Sequence, residues 1–178
     1  MMRKMSQIAN QRIGTDVHSG QRVSWRRCIR VMSTLGVFVM SPLVCIAPVL
    51  ANPNFGSVTI AAVPDHDIAG HTGGTVSLAA IAPQDSSDRP CIGYAGDDPD
   101  HVLVFENTVS SVTIEVDSGE DTTLLIRDPN GTVYCGDDEG NGSDALIQGQ
   151  NWGSGSYEVW VGAFQPGVRY DYTLRVNQ

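Results

Sequence analysis

From Thr75 onward, apolar and polar residues alternate with a period of two almost without interruption. In RYDYTLRV (Arg169–Val176), Tyr170, Tyr172, Leu174 and Val176 fall on one side. Arg169, Asp171, Thr173 and Arg175 fall on the other, the pattern of a strand buried on one face. Val112, Ile114 and Val116 against Thr113 and Glu115 repeat it. The same reading predicts strands at Thr75–Ile81, His101–Glu106, Ser111–Val116 and Thr122–Arg127. Four more follow at Thr132–Cys135, Ala145–Gln148, Ser156–Phe164 and Arg169–Val176. Turn-forming clusters separate them: DSGED at Asp117–Asp121, DPNG at Asp128–Gly131, NWGSGS at Asn151–Ser156 and QPG at Gln165–Gly167. No stretch keeps helical apolar spacing over three turns. About eight short strands with regular turns predict an all-β chain, an antiparallel β-sandwich over residues 75–178.

Upstream the pattern changes twice. Residues 52–74 mix prolines, glycines and acids around one short apolar run, Val58–Val63, and read as a linker with at most one added strand. Residues 1–51 carry seven Lys+Arg against the single acid Asp16, and the basic part precedes an apolar run from Val31 to Leu50. This is the layout of a secretory signal peptide with an extended basic n-region, cleaved after Ala51. The run is long enough to span a bilayer, but Pro42 and Pro48 interrupt it, which favours cleavage over a retained anchor. Beyond Ala51 the sign reverses: 19 Asp+Glu meet only Arg89, Arg127, Arg169 and Arg175, a net charge of −15. That balance argues against nucleic acid and against anionic membrane surfaces, and it suits a soluble, monomeric, secreted or periplasmic protein. Two cysteines remain after cleavage, Cys91 and Cys135, and in an oxidising compartment the simplest reading is one disulfide. Neither has the neighbouring Cys or His that a zinc site requires.

Three stretches, CIGYAGDDPDHVLVFE, SVTIEVDSGEDTTLLIRDPNGTVYCGDD and SGSYEVWVGAFQPGVRYDYTLRV, resemble the bacterial pre-peptidase C-terminal domains, most closely their small exported stand-alone versions. The likeness covers about Thr75 to Val176, and its motifs are DHVLVF, DTTLLI and the final SYEVWV…YTL pair. It implies a jelly-roll-like β-sandwich that is non-catalytic and acts in binding, targeting or secretion, with calcium or fibrous polymers bound by some relatives. No peptidase precedes the domain here, a departure from the usual setting.

The sharpest local chemistry is VYCGDDEGNGSDALI (Val133–Ile147). Asp137, Glu139, Asn141 and Gly142 follow the start of an EF-hand loop, but the twelfth position is Gln148 and strands flank it, so an EF-hand is rejected. Two readings stand. In one, the acids are turn formers facing water, since two carboxylates ~5 Å apart in water repel by only ~0.8 kcal/mol. In the other, Asp137, Asp138, Glu139 and Asp144, joined by Asp97, Asp98 and Asp100 through the cysteine bridge, are ligands of a calcium ion.

His66 and His71 lie in the linker, and His101 is expected at a strand edge paired with Asp100. Ser143, Ser154 and Ser156 sit in glycine-rich turns outside any nucleophile elbow. Trp152, Trp160, Tyr134 and Tyr157 are core aromatics by default, with a sugar-binding platform as the alternative. Trp160 has the opposite parity to Tyr157, Val159 and Val161 and points either outward or into a second layer. The functional expectation is an exported accessory domain that binds a cell-envelope or extracellular protein, a polymer or calcium, with no other cofactor. Its rivals are a small hydrolase using His101, Asp100 and a turn serine, and a folding or secretion helper for a separate peptidase.

Overall fold

Apolar rows spaced two residues apart need a second apolar surface to cover them, and the chain supplies it with two stacked sheets. The computed structural model describes residues 52–61 and 65–177, so the leader reading lies outside the described residues. In chain order the elements are β1 (Ser57–Ile60), β2 (His66–His71), β3 (Val76–Ser77), the helical turn α1 (Leu78–Ile81), β4 (Tyr94–Ala95) and β5 (His101–Phe105). They continue with β6 (Val109–Asp117), β7 (Thr122–Arg127), β8 (Val133–Gly136), β9 (Leu146–Trp152), β10 (Gly155–Ala163) and β11 (Asp171–Asn177).

One sheet has the order β2-β11-β6-β9 and is antiparallel throughout. Its register sets Leu174 opposite Val116 and Val176 opposite Ile114, so the alternating residues of β11 and β6 make one continuous apolar face. The other sheet is built on β10, which pairs with β5, β7 and β4; β8 extends it beyond β7, β3 beyond β4 and β1 beyond β5. Leu103, Phe105, Leu124, Ile126, Val159 and Val161 point from it into the space between the sheets. Among the described residues the fold is therefore an all-β sandwich of eleven strands, with one parallel pair, β1 against β5.

β7 does not alternate, because both of its faces are covered: its first five residues are all buried. Leu125 turns away from the sandwich into a second cluster with Leu78, Cys91, Ala95, Cys135 and Trp160. Trp160 thus points into a second layer, which resolves its parity. The Cys91–Cys135 disulfide sits in this layer and fastens the covering segment to β8.

Two expectations need correction. The strand predicted at Thr75–Ile81 stops at Ser77 and becomes α1. Leu78–Ala79–Ala80 is rich in good helix formers, and Leu78 drops its side chain, 1% exposed, into the second cluster. Residues 52–74 are more than a linker: β1 forms an edge of the larger sheet beside β5, and β2 pairs with β11 along six residues. Edge strands are half-exposed and carry weak alternation, and β2 is further masked by Asp67 and Gly70. Gly70 suits that position, since a Cβ would clash with the Tyr172 ring and hydroxyl that cross over it.

The bridge closes a separation of 44 residues, which chain entropy values at about 4 kcal/mol. Urea unfolding of a Cys91→Ser/Cys135→Ser variant should show a loss of that order, whereas a loss below about 1 kcal/mol would mean that packing alone holds the second layer.

Candidate functional site

The acidic loop begins where β8 ends. Pairing of Leu124 with Gly136 sets the start of β7 beside the end of β8, and Asp121, the residue before β7, thereby meets Asp137 and Asp138. One carboxylate oxygen from each of the three lies within 4.8 Å of the others. Asp137 Oδ1 is buried there without a hydrogen-bond partner. Burial, followed by the charges of Asp138, Asp121 and Glu139, pushes the Asp137 carboxyl up to about 6. Burial and the charge of Asp138 raise Asp121 as well. Three clustered carboxylates, one of them carrying an unpartnered buried oxygen, form a hard-donor set.

The remaining acids of the expected set are employed elsewhere. Glu139 faces Arg89 at 3.2 Å and accepts the Asp137 amide N–H at 2.6 Å. Asp144 is 1% exposed and holds the β6–β7 turn by accepting from Ser118 N–H (3.1 Å), Ser118 Oγ (2.6 Å) and Gly119 N–H (3.1 Å). Asp97 and Asp98 are exposed on the β4–β5 loop, where their backbone carbonyls accept from Trp160 Nε1 and Asn54 Nδ2. Asp100 is buried and belongs to the sandwich. Asp121 was hidden in the sequence inside a turn signature, and only the β7–β8 register reveals it.

His101 is fully buried and faces the opposite sheet, its Nε2 2.8 Å from the Tyr172 hydroxyl. It does not pair with its neighbour. Asp100 accepts instead from Val161 N–H at 2.8 Å and Asn54 Nδ2 at 3.1 Å. Burial lowers His101 to about 4 and raises Asp100 to about 6. Phe55 closes over the histidine with ring centroids 5.4 Å apart. Among the described residues no serine is hydrogen-bonded to His101 or Asp100, so the histidine, acid and serine of the hydrolase reading are not assembled. The aromatics pack inward: Trp152 and Tyr157, each 3% exposed, stack at 4.7 Å with half-buried Tyr134 beside them, and Trp160 lies under the Arg127 guanidinium at 5.0 Å.

No family profile matches the chain, and no curated protein is similar to it in sequence. Among solved structures it is similar to PliG of Aeromonas hydrophila, a periplasmic inhibitor of g-type lysozyme, with 12% identity and a TM-score of 0.39 over 71% of this chain and 98% of that one. The likeness is distant, and the functional reading below rests on this chain's own residues.

The two buried groups of the His101 region drive stability in opposite directions with pH. His101 titrates near 6.5 when unfolded and about 4 when folded, so its contribution is complete above about 6.5 and is lost as pH falls towards 4. Asp100, raised from 3.8 to about 6, destabilises the fold as pH rises through that interval. The stability lost in His101→Gln should therefore shrink by roughly 2 kcal/mol between pH 7 and pH 4.5. Urea titrations at both pH values measure it, and an unchanged difference would place the histidine in contact with water.

Proposed function

We propose that this chain is an exported, non-catalytic binding module of the pre-peptidase C-terminal kind, acting on a cell-envelope or extracellular protein or polymer. The observation that carries this reading is the placement of His101 and Asp100. The one histidine–acid pair considered for catalysis is consumed by the sandwich itself, Nε2 by Tyr172 and the carboxylate by Val161 and Asn54. The disulfide and the acidic surface support the exported setting.

Calcium belongs to the same proposal, at Asp121, Asp137 and Asp138. The orphaned Oδ1 of Asp137 is what favours it over a solvated turn, since a divalent cation would relieve both the missing partner and the mutual repulsion.

Two measurements test the proposal. Calcium at about 100 times its dissociation constant should add ~2.7 kcal/mol, raising the Tm over that in EDTA by on the order of 10 °C. Asp137→Asn should abolish the rise, and acidification through pH 6 should weaken it as that carboxylate takes up a proton. An unchanged Tm at millimolar calcium removes the metal from the proposal. On a broad peptide and ester panel the protein should show no turnover; turnover that disappears in His101→Ala would restore the hydrolase.

A further inference from the structure

We infer that the outer edge of β9 is a docking groove for an extended segment of a basic protein, which adds to the smaller sheet as a fifth strand. This rests on the reading of the chain as a binding module and names where and what it binds.

β9 ends its sheet: β6 pairs with it on one side, and among the described residues no backbone hydrogen bond leaves Leu146–Trp152 for any other segment. A strand edge in that state offers a row of unpaired donors and acceptors, and natural edges are usually blunted by charge, proline or brevity. The opposite edge of the same sheet, β2, carries Asp67, and the edge strands of the larger sheet are four residues or fewer. β9 is seven residues long and contains neither a charge nor a proline.

The edge does not face open solvent. It lines a cleft of about 470 Å³ together with the loop Asp85–Arg89 and the aromatic residues Tyr134 and Trp152. That loop is fixed. Asp85 accepts from Ser87 N–H, Arg89 N–H and Arg89 Nε, while Arg89 also donates to the Cys135 carbonyl beside the disulfide. A cleft bounded by an open edge and a braced loop admits one extended backbone, with alternate side chains directed at the aromatic residues and at solvent.

Charge selects the occupant. Among the described residues each of the four arginines lies within 4 Å of a carboxylate, and the 19 acids beyond Ala51 leave this surface acidic. With a net charge of −15 over residues 52–178, two copies of this region repel each other, which disfavours β9 pairing with its own image. A basic segment is attracted by the same field.

The probe is the synthetic peptide acetyl-TKVKVKT-amide, titrated into the ¹⁵N-labelled protein. Binding should shift the amides of Leu146–Trp152 and slow the exchange of those facing away from β6. The same peptide N-methylated at alternate backbone nitrogens keeps every charge but loses ladder donors, and it should bind on the order of tenfold more weakly. Gln148→Lys/Gln150→Lys places charges at two exposed positions and should weaken binding by a similar factor with the Tm unchanged. Equal affinity for the N-methylated peptide, shifts confined to other strands, or no binding at about 1 mM would overturn the inference. So would sedimentation showing a dimer that protects β9, since a second copy would then own the edge. A calcium-dependent Tm shift without peptide binding would sink the groove alone, whereas turnover on the ester panel would sink the module reading.

Discussion

The larger sheet has two faces to bury, and the covering of its outer face is the constraint on which the rest depends. The sandwich takes care of the inner one. The outer one is closed by the segment from Leu78 to Ala95, whose Leu78, Cys91 and Ala95 meet Leu125, Cys135 and Trp160. The disulfide makes that contact covalent, and Arg89 reinforces it through Cys135 and Asp85. Both proposed sites hang from this clamp. Cys135 lies two residues before Asp137, so the bridge anchors the strand end that carries the acidic loop. The Asp85–Arg89 loop, held against β8, lines the same cleft as β9.

Much of the fold was legible in the residues. The alternation of Tyr172, Leu174 and Val176, and of Val112, Ile114 and Val116, marked strands whose buried faces the sandwich reproduces. β7 was legible with its bounds intact because the turn clusters DSGED and DPNG flank TTLLIR on either side. What escaped notice depends on partners distant in sequence. β2 has meaning only against β11, and Gly70 only against the Tyr172 hydroxyl. Asp121 looked like a turn residue because nothing local says that the β7–β8 register will set it beside Asp137. His101, with an acid on one side and a valine on the other, gave no hint that its ring crosses to the second sheet.

The acidity of the chain divides into two uses. Asp85, Asp128 and Asp144 each accept backbone N–H groups of nearby turns, so their charge is absorbed in shaping loops. Asp121, Asp137 and Asp138 have no such employment in common, and their crowding is the electrostatic tension that a cation would relieve. Composition counts these carboxylates alike; only hydrogen bonding separates them.

The pairing of β2 with β11 joins residues about a hundred positions apart, His71 opposite Asp171. Contacts of such separation are slow to form because a long loop must close before any of them is gained. β11 also lies between β2 and β6, so it alone links β2 to the β6–β9 pair. A nascent chain halted before Asp171 would hold β2 without a partner strand, so this strand stays undocked until Asp171–Asn177 has emerged.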